Sequence, residues 1–249
     1  MKHKGFLLAT TGGLAAAISG AQAADLPMKA AKLTPAPAPI ASWTGFYVGL
    51  NAGAVWQMAS SDYNAGSSSE GVGGNKGHGV GFIGGGQIGY NYQIAPAWVL
   101  GLEADISGLT GKATGGNALS GCSSCGSTNF KGIESQINWL STFRGRVGWL
   151  MHQDTMLYAT GGLAVGGVKN TWNPTGGSSG YTAKSVSKTL VGWTAGGGIE
   201  HILNPNWTVA VEALYVDLGT STGSNVDGSK TSTFKNTAAI ARLKLNYKF

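Results

Sequence analysis

From residue 43 onward, apolar and polar residues alternate with a period of two. The final "ARLKLNYKF" sets Ala241, Leu243, Leu245, Tyr247 and Phe249 against Arg242, Lys244, Asn246 and Lys248. Successive side chains of a strand point to opposite faces, so this alternation predicts β-structure. Seven earlier segments behave similarly: 43–57, 80–92, 98–108, 137–150, 156–168, 190–202 and 207–219. In 43–57, Phe46, Val48, Leu50, Ala52, Ala54 and Trp56 oppose Tyr47, Asn51 and Gln57. In 98–108, Trp98, Leu100, Leu102, Ala104 and Ile106 oppose Glu103 and Asp105. In 137–150, Trp139, Phe143, Val147 and Trp149 oppose Asn138, Arg144 and Arg146. Segments 190–202 and 207–219 set Trp193, Ile199, Trp207 and Val211 against Thr194, Glu200, Thr208 and Glu212. The last segment, starting near Phe234, brings the total to eight. Each is long enough for the roughly 9–11 residues that a tilted membrane-spanning strand needs.

The connections alternate in length. Long ones, rich in Ser, Gly, Thr and Asn, occupy 58–79, 111–136, 169–189 and 220–233; short ones occupy 93–97, 151–155 and 203–206. Short turns at one rim and long loops at the other are the rhythm of an outer-membrane barrel. The predicted fold is all-β, an eight-stranded antiparallel up-and-down transmembrane β-barrel with its apolar face toward lipid. A soluble sandwich also alternates, but explains neither this rhythm nor the aromatics gathered at strand ends. Phe46, Tyr90, Trp98, Trp149, Trp207, Tyr247 and Phe249 fall at the short-turn end, and Trp56, Trp139 and Trp193 at the other. They read as two interfacial girdles.

The front of the chain sets the compartment. Lys2 and Lys4 precede the apolar "GFLLATTGGLAAAISG", and Ala21-Gln22-Ala23 matches a small-residue cleavage site, so residues 1–23 read as a signal peptide. The Pro/Ala-rich residues 24–42 read as a periplasmic linker and 43–249 as the barrel. The expected location is the cell outer membrane of a Gram-negative bacterium. Only 11% of residues are charged and 42 are Gly, which disfavours long helices. Without residues 1–23 the net charge falls from +6 to +4, too mild an excess to imply a nucleic-acid partner.

One internal echo stands out: "PAWVLGLEA" (96–104) and "PNWTVAVEA" (205–213), each following a Gly-rich strand. With "WTGFYVGLNAG" and "VEALYVDLG", these passages resemble the alphaproteobacterial outer-membrane β-barrel family, often called the outer-membrane immunogenic protein or porin family. The resemblance covers about residues 42–249. It implies surface proteins that support envelope integrity and present loops to hosts, some relatives being described as porins and some as haemin binders. The terminal "NYKF", with Tyr247 and Phe249, looks like the signal read by the barrel assembly machinery.

The lumen face carries Glu103, Asp105, Glu200 and Glu212 against Arg144, Arg146, Arg242 and Lys244. These charges line a constriction in a pore or form an ion-pair network that fills the interior. An eight-stranded lumen is barely wide enough for its own side chains, which favours the plug and puts the porin role in doubt for a monomer. Cys122 and Cys125 in "GCSSCG" are the only cysteines, and in an exported loop they read as a local disulfide rather than a redox or zinc site. His78 sits in an outer loop as a solvated residue or a haem ligand; His152 and His201 sit at short turns. No nucleophile–base–acid set accompanies His78, and the Gly-rich stretches lack the Lys-Ser/Thr ending of a phosphate loop. The chain therefore reads as a non-enzyme without metal or cofactor. Its partners are outer-membrane lipid, the assembly machinery and a possible surface ligand of the loops.

Overall fold

The computed structural model describes residues 42–64, 74–115, 129–175, 184–224 and 231–249. Every described residue belongs to one compact unit, Pro39–Phe249. The expected signal peptide, the linker up to residue 41, Cys122 and Cys125 lie outside the described residues.

The described elements are strands: β1 (Gly45–Asn64), β2 (Gly74–Ala95), β3 (Trp98–Leu109), β4 (Ala113–Gly115), β5 (Asn129–His152), β6 (Thr155–Thr175), β7 (Lys184–Asn204), β8 (Trp207–Ser224) and β9 (Thr231–Lys248). All pairings are antiparallel, and β1 pairs with both β2 and β9, so the sheet closes on itself. The short β4 sits between β2 and β5 beyond the end of β3. Gly111, at φ 91°, makes the step between β3 and β4. Together they form one stave, and the ring has eight.

At one rim the strands join through two-residue turns at Pro96–Ala97, Gln153–Asp154 and Pro205–Asn206. At the other rim they run past the segments that hydrophobic alternation marks; β5 reaches 24 residues. Those extensions are rich in Ser, Thr, Asn and Gly. Their pairing continues the ladder without the apolar face that makes a strand legible.

The outward face is apolar, with Phe82 and Leu50 among its most exposed side chains at 77% and 70%. Aromatic contacts ring the short-turn end, including Phe46–Tyr90 and Trp207–Tyr247 with ring centroids 4.6 and 5.2 Å apart. One face assignment changes. A bulge between Ile137 and Trp139 shifts the phase of β5, so Ile137 and Leu140 both point inward and Asn138 is exposed rather than in the lumen.

The interior is layered. Trp43, Val99, Met156 and Tyr158 pack as an apolar floor at the short-turn end, and Trp43 Nε1 donates to the Gln153 carbonyl at 3.1 Å. A polar belt follows. Above it Val55, Ile83, Leu109, Ile137, Leu140, Val168, Leu214, Val216, Leu218 and Ile240 form a second apolar layer. Period-two alternation assigns polar residues to the lumen, but two apolar layers interrupt them, and buried polar groups such as Gln57, Ser135, Asn170 and Asn236 return beyond the upper one.

Glycine makes this filling possible. A Cβ on Gly89 would collide with the Tyr47 ring, and one on Gly198 would lie 2.8 Å from the Tyr158 hydroxyl. On the outward face, a Cβ on Gly84 would meet nothing nearer than the Asn51 carbonyl at 3.7 Å. Gly89→Ala is therefore expected to lower stability by about 1–3 kcal/mol through overpacking, with Gly84→Ala close to neutral. Urea midpoints of the refolded barrels check this.

The charged belt inside the barrel

Each belt residue reaches the lumen by strand parity. Glu103 and Asp105 come from β3, Arg144 and Arg146 from β5, Glu200 from β7, Glu212 from β8, and Arg242 and Lys244 from β9. Register sets Glu103 opposite Arg144 and Glu212 opposite Arg242. All eight are almost fully buried. With four carboxylates and four cations, the belt is neutral.

The contacts form one continuous network. Arg144 Nη2 lies 2.5 Å from Glu103 Oε1 and 2.9 Å from Asp105 Oδ2, and its Nη1 lies 3.2 Å from Glu212 Oε1. Lys244 Nζ donates to both oxygens of Glu103 at 2.6 Å and lies 3.3 Å from Glu212 Oε2. Arg242 Nη2 bridges Asp105 Oδ2 at 3.0 Å and Glu212 Oε1 at 2.8 Å. Arg146 pairs with Glu200 and lies 3.5 Å from Glu103. A lone buried charge is very costly, whereas sharing each carboxylate among several donors offsets its lost hydration.

Residues that sequence reasoning left out complete the network. Tyr47 and Tyr158 donate their hydroxyls to Glu103 Oε2 at 2.6 Å and Glu212 Oε2 at 2.9 Å. The Arg146 guanidinium lies 4.2 Å from the centre of the Tyr158 ring. Thr208 and Asn246 donate to Glu200 Oε1, and Asn246 also accepts from Gln87, which bonds Asn51. Strand parity was the available signal for these residues. Trp43 shares the odd parity of Tyr47 and Asn51, but it precedes β1, so its seat in the mouth comes from the fold rather than from strand pairing.

The other candidates lie apart from the belt. His78 is exposed on the outward face of β2, opposite Met58 and Thr114. His152 is exposed near a turn, and His201 Nδ1 lies 2.9 Å from Thr155 Oγ1. Tyr247 and Phe249 stack edge-on at 5.3 Å on the outward face.

A closed ring with an apolar exterior and a polar belt inside fits the family model for the outer membrane protein beta-barrel domain, which matches residues 12–249. The chain belongs to that family. It is 36% identical to the 31 kDa outer-membrane immunogenic protein of Brucella melitensis biotype 1 over 220 residues, covering 87% of this chain and 88% of the relative. It is 33% identical to the 22 kDa outer membrane protein of Rhizobium leguminosarum, covering 72% of this chain and 66% of that one. The fold is similar to the outer membrane protein OprG of Pseudomonas aeruginosa, with 13% identity, a TM-score of 0.50, and coverage of 83% of this chain and 96% of that one. These relatives are outer-membrane proteins of Gram-negative bacteria, and this chain is an outer-membrane barrel. Its apolar exterior faces lipid, and its short turns are periplasmic.

Leaving one belt charge unpaired is expected to be severe. Arg146→Met should destabilise the barrel by roughly 3–5 kcal/mol, because Glu200 loses its cation in a dry lumen. Adding Glu200→Gln should restore most of that loss in the same urea titration.

Proposed function

We propose that this protein is a structural barrel, sealed along its axis, that reinforces the outer membrane and displays its polar outer connections at the surface. The observation that carries this reading is the stacking of three filled layers across the lumen: the floor around Trp43, the neutral belt, and the apolar layer from Val55 to Ile240. Water and ions cross apolar constrictions poorly, so the upper layer opposes conduction even where the belt is polar. The outer connections at 65–73, 116–128, 176–183 and 225–230 lie outside the described residues. On this reading they carry any contact with a host or surface ligand, with Cys122 and Cys125 paired in the second. A cleaved residue 1–23 segment exports the chain, and Tyr247 and Phe249 present its last strand to the assembly machinery.

The test is conductance of the refolded chain, without residues 1–23, in a planar bilayer. The expected result is a silent bilayer with insertion confirmed independently. Trp43→Ala should stay silent as well, because the upper layer still closes the lumen. Discrete steps altered by Glu103→Gln would replace this reading with a pore. Haemin binding at the outer rim predicts a Soret shift that His78→Ala weakens; on the structural reading the wild-type protein gives no shift.

A further inference from the structure

The echo between "PAWVLGLEA" and "PNWTVAVEA" extends through the lumen. Tyr47 stands opposite Gly89, Gly89 opposite Glu103, and Glu103 opposite Arg144. In the second half, Tyr158 stands opposite Gly198, Gly198 opposite Glu212, and Glu212 opposite Arg242. Staves β1-β2-β3-β5 and β6-β7-β8-β9 thus repeat one unit, with identical internal registers. Each unit holds a tyrosine over a glycine, a glutamate accepting from that tyrosine, and two cations on its last strand.

The two junctions between the units differ. At β5–β6, Arg144 pairs with Gly162, four residues past Tyr158; at β9–β1, Arg242 pairs with Gly53, six residues past Tyr47. One repeated pattern therefore closes in two registers, two residues apart, within one molecule. A two-residue slip keeps every side chain on its own face, so hydrophobic alternation does not choose between them. The lipid-facing pairs at the β9–β1 seam, such as Leu50 with Leu245 and Ala52 with Leu243, are aliphatic and discriminate weakly.

We infer that the charged belt is the register key that closes the barrel at the β9–β1 seam. Its contacts cross from one unit to the other. Arg242 reaches Asp105 at 3.0 Å and Lys244 reaches Glu103 at 2.6 Å, both on β3. Sliding β9 by two residues along β1 displaces those cations by about 7 Å and breaks both pairs. The Glu212–Arg242 pair within the second unit survives the slide, so the carboxylates of β3 read the seam. Gly53 assists, since a Cβ there would lie 2.6 Å from Arg242 Cα. This role is independent of whether the lumen conducts.

Disulfide trapping tests the key in full-length protein with Cys122 and Cys125 changed to Ser. Leu50→Cys with Leu245→Cys reports the observed register; Leu50→Cys with Leu243→Cys reports the register of the other junction. All three positions face lipid. With the belt intact, only the first pair is expected to cross-link. Adding Glu103→Gln, Asp105→Asn, Arg242→Met and Lys244→Met removes two charges of each sign, and the second pair should then rise by about tenfold. A folded barrel of this kind that traps only the first pair overturns the inference. If that variant does not insert, Asp105→Asn with Arg242→Met, which removes one bridging pair, decides by the same readout. Lys244→Arg, which keeps the charge, should trap only the first pair, and slippage there would also overturn the inference.

Discussion

The space inside an eight-stave ring is the constraint on which the rest depends. A sheet closed at this size leaves room for side chains and little else, so every inward residue must be matched to what stands across from it. Large groups therefore sit over glycines: Tyr47 over Gly89, Tyr158 over Gly198, and the Arg146 stem over Gly101. The same narrowness makes the buried charges neutral as a set. With no room for a hydration shell, four carboxylates can be held only by an equal number of cations and by hydroxyl and amide donors.

This barrel carries a small core of its own. Its exterior needs none, because lipid solvates the apolar face, so order across the lumen comes from layers that alternate apolar, ionic and apolar. The ionic layer is directional and the apolar layers are not. Hydrophobic packing around Val55 and Leu214 tolerates rearrangement, whereas the forked donors of Arg144 and Arg242 accept few geometries. A belt of this kind gives positional specificity, while stability comes mainly from the closed backbone ladder and the membrane around it.

Family membership agrees with this division. The Brucella relative, an outer-membrane immunogenic protein, matches along most of both chains. On the proposed reading, a lumen that serves the fold leaves the outer connections to meet other molecules. The alternating rhythm of long and short connections then has a functional sense on that reading: turns of minimal length at one rim, and longer Ser-, Gly- and Asn-rich segments at the other.

Period-two alternation, aromatic strand ends and connection lengths were enough to determine that this chain forms an eight-stave barrel and which way its strands face. Those features are local, and strand parity converts them directly into an inside and an outside. What the tertiary structure decided lies between strands distant in sequence. It brought Asp105 to Arg242 and Tyr158 to Glu212, turned Trp43 into the periplasmic mouth, and flipped Asn138 outward at a bulge. It also gathered Val55, Leu140 and Leu214, which strand parity already turns inward, into an apolar layer on a face read as polar. The physical reason is that parity names a face but carries no stagger. Stagger is set when the sheet closes, by which side chains fit and pair across a lumen that only the whole ring creates.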